Sequence, residues 1–400
     1  MPDTSAGTIT KKQPCINWLR SNRETVSKIL KLWAFSRFVL ALAAWYADYF
    51  QKNQVYQRHI DRGFQFTPIQ SLDIWCRWDS TWYLSIVGHG YFPSATPTES
   101  YSNLAFFPLY PYLVKLFTFW LPGFLQRQSV LIFVGLLISN VCFILALFAI
   151  YELVRLHWSS TIAEKTVLLL VCLPGAYIFS AFYTESLLLM LTVCALLAAE
   201  KERWLLAAMA AALAALTRAN GFLILAPVFL IYMSRRDWKL SAIKPDILAF
   251  LLVPLAVLAH FYHLYRLTGS YLAFFEAQQA WGRTVGSSFL TEFFNPLFET
   301  ANQVAIVDLI LISLYLLAAI IMLFKSGYRI YGIYSLLSVL VLLNSGRLFS
   351  MSRYTIVIFP VVMFLAASLK NKKLYAAVCI LFAAFQVLLY TGWVNYYWIG

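Results

Sequence analysis

The chain has 400 residues, of which 61% are hydrophobic and only 12% are charged, and its formal net charge is +13. Soluble proteins carry about 25% charged and about 45–50% apolar residues, so this composition excludes an ordinary soluble domain. A basic balance can indicate nucleic-acid binding, but no nucleic-acid-binding motif accompanies it, and we expect no such partner. The six cysteines form no CxxC pair, so we predict neither a disulfide framework nor a zinc site.

The apolar residues are gathered into long runs that predict transmembrane helices. Backbone polar groups in lipid must pair within their own segment, and a helix needs roughly 20 apolar residues to cross a bilayer. We therefore predict an all-α integral membrane protein, a multi-pass bundle of about 11 transmembrane helices. The predicted spans are residues 30–50, 129–151, 165–181, 186–200, 204–217, 220–234, 246–266, 303–324, 329–345, 354–370 and 374–393.

The distribution of Lys and Arg predicts the orientation of these spans. Most basic residues fall in segments that share a side with the N-terminus, including the clusters at 235–244 and 370–373, and such segments face the cytoplasm. Residues 1–29 would then be a cytoplasmic segment, without the features of a cleaved signal peptide. Residues 30–400 would form a single membrane-embedded domain.

Two large loops, 51–128 and 267–302, are expected on the outer face, where they would carry amphipathic helices. Within the first, residues 106–120 are apolar but contain Pro108, Pro111 and Lys115. If this segment spanned the membrane, every later loop would invert and the basic clusters would face outward. We therefore expect a re-entrant or interfacial element.

The first outer loop holds an acidic residue among tryptophans. Trp75, Trp78 and Trp82 recur at spacings of three and four, which would place them on one helical face. Asp79 lies among them, two residues from Arg77. An acid near apolar rings and a neighbouring cation is a setting for a general base. The alternative is a surface helix whose aspartate is merely solvated.

Ionisable residues also lie at the outer ends of several spans. Such groups are costly when they face lipid, so they tend to face a cavity or a partner. An arginine in this position can bind a phosphate with two parallel hydrogen bonds, or it can snorkel or form a structural ion pair. The ionisable residues concerned are Glu185, Arg218, Arg347 and Arg353, and the amide of Asn220 lies beside Arg218 in the sequence.

Aromatic and amide residues in the two outer loops are candidates for lipid or sugar contacts. The segment from Phe106 to Pro111, which includes Phe107 and Tyr110, could wall a groove for a lipid or a sugar, or could be a kinked interfacial hairpin. In the second loop, Gln278 and Trp281 are plausible sugar contacts, although an ordinary loop is an equal alternative. His260 and His263 have a spacing that can ligate a metal, but no acid completes the set. We therefore predict a helix–helix contact and no metal.

Several of these segments resemble the motifs of the PIG-V-like mannosyltransferases, the family of GPI mannosyltransferase 2. They keep the family order over roughly residues 70–365. The motifs are Arg77-Trp78-Asp79 with Trp82-Tyr83 and Gly90-Tyr91, Phe106 to Pro111, Tyr183 to Ser186, Arg218 with Asn220-Gly221, Gln278 with Trp281, and Arg353-Tyr354 with Pro360.

The resemblance implies the GT-C glycosyltransferase architecture and an inverting sugar transfer that needs no metal or other cofactor. The donor would be a polyprenyl-phosphate sugar, with mannose as the expected sugar, and the acceptor a glycolipid or glycan. Asp79 would be the catalytic base, and Arg218, Arg347 or Arg353 would stabilise the departing phosphate. Trp78, Trp82 and Tyr83 would join the substrate site with the motif residues named above.

The resemblance also implies a location, and it leaves the acceptor open. Ala219 stands where the family has Ser, and the outer loops are shorter than expected of eukaryotic members. We expect a bacterial inner-membrane enzyme whose active site faces the periplasm, with the endoplasmic reticulum as the alternative. A transporter or lipid flippase, or another GT-C enzyme such as a protein O-mannosyltransferase that pairs Asp73 with Asp79, remains open.

Overall fold

The computed structural model describes residues 22–50, 65–92, 101–125, 127–283, 303–345 and 350–397. In these ranges the regular elements are helices, and no β-strand occurs among them. The α-helices are α1 Arg23–Phe50, α2 Gln70–Asp73, α3 Ser80–His89, α4 Leu109–Thr118, α5 Gln128–His157, α6 Ser160–Cys172, α7 Glu185–Glu200, α8 Trp204–Ala215, α9 Leu225–Ser234, α10 Leu252–Thr268, α11 Ala273–Gln279, α12 Gln303–Leu323, α13 Arg329–Leu343, α14 Met351–Thr355, α15 Phe359–Ser368 and α16 Lys372–Val394. The all-α prediction is therefore confirmed.

Five helical segments within the described part of the chain are long and apolar enough to cross a membrane. They are Arg23–Phe50, Gln128–His157, Pro245–Thr268, Ile306–Leu323 and Lys372–Val394. Shorter apolar helices complete the bundle, so the multi-pass architecture stands, whereas the number of eleven spans stays a prediction.

The bundle is organised around α5, which packs against α6 and α7. Helix α7 also packs against α8, α12 against α13, and α1 against α16. Gly135 on α5 makes room for the ring of Phe182, which a Cβ atom there would overlap. Large apolar side chains such as Phe35, Phe38 and Trp45 are exposed along α1, as expected of a surface that faces lipid.

Two predicted spans are broken by prolines. The prediction of one helix over 165–181 is wrong, because α6 ends at Cys172 and a 3₁₀-helix follows at Ala176–Ser180. Pro174 lies between them, and a proline removes a backbone donor and disfavours helical backbone at the residue before it. Likewise the predicted span 354–370 is divided into α14 and α15. Pro360 cannot donate a hydrogen bond to the preceding turn, so it lies in the first turn of a new helix, where proline is tolerated.

The first outer loop contains short helices and tight turns. The prediction that Trp75, Trp78 and Trp82 share one helical face is wrong, because the chain turns between α2 and α3 and Trp78 has φ +51°. Their rings pack in different places: Trp75 on Tyr390, Trp78 on Tyr396, and Trp82 on Phe106.

Helix α4 is the apolar element whose placement was ambiguous. It has ten residues, so it is about 15 Å long at 1.5 Å per residue. That is roughly half of the hydrocarbon thickness. Its length therefore fits the expected re-entrant or interfacial element better than a full span.

Candidate active site

A cavity of about 940 Å³ opens between α3, α8, α10, α11, α13 and α14. We call its apolar and aromatic lining the apolar wall and its charged and polar lining the charged wall. The apolar and aromatic side chains include Phe106, Phe107, Phe222, Phe261, Phe274, Phe275 and Trp281. The polar ones include Asp79, Tyr83, Arg218, Asn220, Gln278, Arg283, Arg353 and Tyr354.

Two carboxylates and two arginines form a continuous ion-pair cluster at the charged wall. Arg353 Nη1 lies 2.5 Å from Asp79 Oδ2, and Arg353 Nε contacts Glu185 Oε1. Arg218 Nη1 contacts the same Glu185 oxygen and donates to the Thr184 hydroxyl at 3.2 Å. Glu185 is therefore shared by two guanidinium groups, one of which also holds Asp79.

The cluster is largely withdrawn from solvent, although it borders the cavity. Glu185 is 1% exposed and Arg353 2% exposed, while Asp79 is 9% exposed. Charges at such positions are costly unless they are paired and hydrogen-bonded, and here each has a partner. We describe these four side chains, Asp79, Glu185, Arg218 and Arg353, as the ionic cluster.

Close backbone contacts place the two arginines of the ionic cluster. Arg218 precedes a 3₁₀-helix at Ala219–Ile224, in which Gly221 lies directly against the carbonyl group of Ala214. A Cβ at Gly221 would overlap that carbonyl, so only glycine permits this return of the chain. At the other side, Gly175 lies against the Ser352 carbonyl, which brings α14 and its Arg353 to the bundle.

Asp308 on α12 holds the start of α14. Its Oδ1 accepts hydrogen bonds from the backbone N–H groups of Met351 at 3.0 Å and Ser352 at 3.3 Å. Because Arg353 follows directly, Asp308 fixes the direction from which the guanidinium reaches Asp79.

Asp79 is held by its backbone, and its carboxylate faces the cavity. Its N–H donates to Tyr183 Oη at 3.2 Å, and that hydroxyl donates to the Arg77 carbonyl at 2.9 Å. No residue in the described ranges donates a hydrogen bond to Asp79 Oδ1. Burial raises the pKa of nearby Tyr83 to about 12, so its phenol stays protonated at neutral pH and is no rival base.

Aromatic rings around Trp281 form part of the apolar wall. Trp281 contacts Tyr101, Phe106 and Trp82, with ring centroids 4.6, 5.9 and 5.6 Å away. The Gln278 amide donates to the Ala105 carbonyl at 3.1 Å, which ties α11 to the first outer loop. The two outer loops predicted from the sequence therefore meet at this cavity.

The structure brings most of the sequence-predicted site residues together. Trp82 packs on Trp281 and Glu185 pairs with Arg218 and Arg353, although neither Trp82 nor Glu185 lines the cavity. Arg347 falls outside the described residues. The predicted residues that line the cavity are Asp79, Tyr83, Phe107, Arg218, Asn220, Gln278, Trp281 and Arg353.

Three residues predicted to bind substrate lie away from the cavity. Arg77 is fully buried and pairs with Asp73 at 2.9 Å, and the cation that pairs with Asp79 is Arg353. Trp78 packs on Tyr396. Tyr110 is buried and donates to the Gly135 carbonyl at 2.9 Å, so its position serves to pack α4 against α5.

Asp73, the competing aspartate, has a structural position. Its Oδ1 accepts hydrogen bonds from the N–H groups of Phe66 and Thr67, and its Oδ2 pairs with Arg77. It does not line the cavity. The geometry therefore favours Asp79 as the available acid, and the paired-aspartate alternative loses its second member.

Sequence reasoning did not predict the contact between two residues, Arg283, a plausible sugar contact of the second outer loop, and Tyr354, a member of the last motif. Arg283 Nη2 donates to Tyr354 Oη at 2.6 Å, and both side chains line the cavity. The sequence places the two residues 71 positions apart, so nothing in it indicated that they touch. Among the described residues, no group of three or more His, Cys, Asp or Glu side chains is arranged to hold a metal ion.

The fold and the buried ionic cluster beside an apolar cavity define a multi-pass membrane protein with a charged site set into its helical bundle. A family model described as Mannosyltransferase (PIG-V) matches residues 69–281, more than half of the chain. The chain belongs to this family and is a glycosyltransferase. Of the two protein classes that the sequence left open, the family match supports the enzyme and not the transporter. No curated protein matches the chain in sequence.

The chain is similar to solved structures, of which the first below shares its fold. ArnT from Cupriavidus metallidurans, bound to undecaprenyl phosphate, is 14% identical with a TM-score of 0.52, over 84% of this chain and 68% of that chain. The Archaeoglobus fulgidus oligosaccharyltransferase tethered to an acceptor peptide is 14% identical with a TM-score of 0.49, over 96% of this chain and 56% of that chain.

Proposed function

We propose that this glycosyltransferase moves a sugar, with mannose as the favoured one, from a polyprenyl-phosphate carrier to a glycolipid or glycan acceptor. Transfer would take place on the outer membrane face, with inversion at the anomeric carbon. The observation that carries the proposal is the Asp79–Arg353 pair at the edge of a cavity whose other wall is apolar. An acid, a group of arginines and a lipid-compatible wall are what such a transfer needs.

The reaction can be written with the residues present. The acceptor oxygen forms a bond to the anomeric carbon, and the acceptor proton passes to Asp79. The bond between that carbon and the carrier phosphate breaks, and its electron pair stays on the phosphate. A positioned base typically contributes roughly 10²–10⁴-fold in rate.

Arginines of the ionic cluster would stabilise the phosphate as its charge grows. The phosphodiester carries one negative charge and the departing monoester up to two, so the added charge develops on phosphate oxygens. Arg218 borders the cavity and can contact the phosphate directly. Arg353 can also attract the phosphate more strongly during the step, because its partner Asp79 loses its negative charge when it takes the proton. Fixed donors in a water-poor site are effective because they need no reorganisation during the reaction.

The phenylalanines of the apolar wall would hold the carrier lipid, and the rings around Trp281 would hold the sugar or the acceptor. Phe222 and Phe275 line the cavity and are 46% and 38% exposed, so they offer apolar surface to the carrier chain. The solved ArnT structure is bound to undecaprenyl phosphate, which supports a lipid-phosphate carrier here.

A transfer assay tests the proposal. Membranes containing the chain are incubated with polyprenyl-phosphate mannose labelled in the sugar, and labelled lipid and polymer products are separated. We expect label to move from this donor but not from GDP-mannose when synthesis of the lipid-linked donor is blocked. Equal transfer from GDP-mannose under that block would contradict the proposed donor.

A further inference from the structure

Three arginines converge on the ring of Tyr354. The guanidinium carbons of Arg218 and Arg283 each lie 4.9 Å from the ring centroid, and that of Arg353 lies 5.4 Å away. An aromatic face attracts cations at such distances. Tyr354 therefore gathers three positive charges at one edge of the cavity.

Among the residues that the structure describes, carboxylates balance two of those charges. Asp79 and Glu185 pair with Arg353 and Arg218. Within the described ranges, no carboxylate lies within ion-pair distance of Arg283. Counted over the described side chains, the three arginines and two carboxylates leave one net positive charge beside the cavity.

An excess charge in this setting favours an anionic ligand. Arg283 is half-buried, and the cavity beside it is largely apolar. Coulombic attraction is much stronger in such surroundings than in bulk water. A ligand with a single negative charge would neutralise the group without separating the existing ion pairs.

We infer that Arg283 and Tyr354 form the subsite that binds the carrier phosphate. Arg283 supplies the unbalanced charge, and its planar guanidinium has donors beyond the Nη2–H that Tyr354 accepts. Tyr354 is a positioning residue, because its hydroxyl fixes the orientation of Arg283. This assignment rests on the proposed function for the identity of the carrier as a polyprenyl phosphate.

The neighbouring surface fits a phosphate attached to a lipid. Phe222, Phe261 and Phe275 line the same cavity, so the subsite borders an apolar surface on one side. Inorganic phosphate shares the charge but not the chain, and a polyprenol shares the chain but not the charge. Comparing the three ligands separates the two contributions.

Binding measurements on the purified full chain in nanodiscs test the assignment. Undecaprenyl phosphate, undecaprenol and inorganic phosphate are titrated and followed by tryptophan fluorescence, for wild type, Arg283→Gln, Arg283→Lys and Tyr354→Phe. Arg266→Gln is the matched control, since Arg266 is exposed and does not line the cavity. Thermal melting checks that each variant is folded.

We expect Arg283→Gln to weaken undecaprenyl phosphate binding by about tenfold to a hundredfold, the usual range for losing a charged hydrogen-bond donor. Undecaprenol binding should change by less than about twofold, because a polyprenol carries no charge for Arg283 to attract. Arg283→Lys should lie between wild type and Arg283→Gln, since it keeps the charge but loses the fork. Tyr354→Phe should weaken phosphate binding by about threefold to tenfold, less than loss of Arg283 itself, because it removes only the hydrogen bond that orients Arg283.

Two results would overturn the assignment. One is wild-type affinity for undecaprenyl phosphate in folded Arg283→Gln and Tyr354→Phe. The other is an equal loss of undecaprenyl phosphate and undecaprenol binding, which would make Arg283 a packing residue. If Arg283-dependent binding holds but no sugar is transferred, the proposed function fails and the subsite stands. If sugar is transferred and Arg283 has no effect on binding, only the subsite fails.

Discussion

Replacing Glu185 with glutamine should expose how strongly the ionic cluster depends on one carboxylate. Glu185 is 1% exposed and accepts from both Arg218 and Arg353. Removing one partner of a buried ion pair typically costs about 3–5 kcal/mol, because a buried charge is left unpaired. Arg353 would keep Asp79, and the Arg218 side chain is 15% exposed, so we expect the lower end, about 3 kcal/mol.

The pairing itself is measurable in a double-mutant cycle. In Glu185→Gln/Arg218→Gln the uncompensated charge on Arg218 disappears together with its partner. The double variant should therefore be more stable than the sum of the two single costs predicts, with a coupling of about 2 kcal/mol, within the range for residues in one network. Equilibrium unfolding in mixed detergent, followed by tryptophan fluorescence, gives the four free energies of unfolding.

A surface glutamate is the matched control for this experiment. The Glu164 side chain is 50% exposed and lies 3.6 Å from Lys28, and exposed ion pairs are worth only about 0–1 kcal/mol. Glu164→Gln should therefore lower the free energy of unfolding by no more than about 1 kcal/mol. A coupling near zero between Glu185 and Arg218, or equal effects of the two Glu→Gln changes, would refute the buried pair.

Two further predictions concern backbone fit and orientation. Gly221→Ala should displace the turn that carries Arg218, because the new Cβ overlaps the Ala214 carbonyl, and we expect at least a tenfold loss of transfer activity. Gly88→Ala is the control and should stay active, since its Cβ meets no atom within 4 Å. Normal activity of both variants would contradict this prediction. Ser241→Cys in the basic segment 235–244 should react with membrane-impermeant maleimide only after permeabilisation, so labelling of intact cells would overturn the predicted orientation.

Much of the fold could be predicted from the sequence because lipid imposes a simple rule. Apolar runs must be helical, and the helices formed close to where those runs lie. The errors were local. Pro174 ended α6 inside a run that hydropathy alone treats as continuous, and the turn with positive φ at Trp78 scattered three tryptophans whose spacing suggested one face.

The candidate site was predictable residue by residue but not as a set of contacts. Asp79, Arg218 and Arg353 each stood out as charges at the ends of apolar spans. Their pairing was not readable, since Asp79 and Arg353 are 274 positions apart and Arg77 was the nearer cation in sequence. Arg283 was missed as a candidate phosphate contact because its significance comes from the two other arginines at Tyr354, which only the fold brings together.

The most direct test of the central claim is the transfer rate of Asp79→Asn. The change keeps the size and hydrogen-bonding capacity of the side chain but removes the proton acceptor. We predict a loss of roughly 10²–10⁴-fold in mannosyl transfer from the polyprenyl-phosphate donor. Binding of undecaprenyl phosphate should be kept or strengthened, because the site gains positive charge. Asp237→Asn, at an exposed aspartate in the basic segment 235–244, should leave both unchanged. A folded Asp79→Asn enzyme with near wild-type turnover would contradict the assignment of Asp79 as the base.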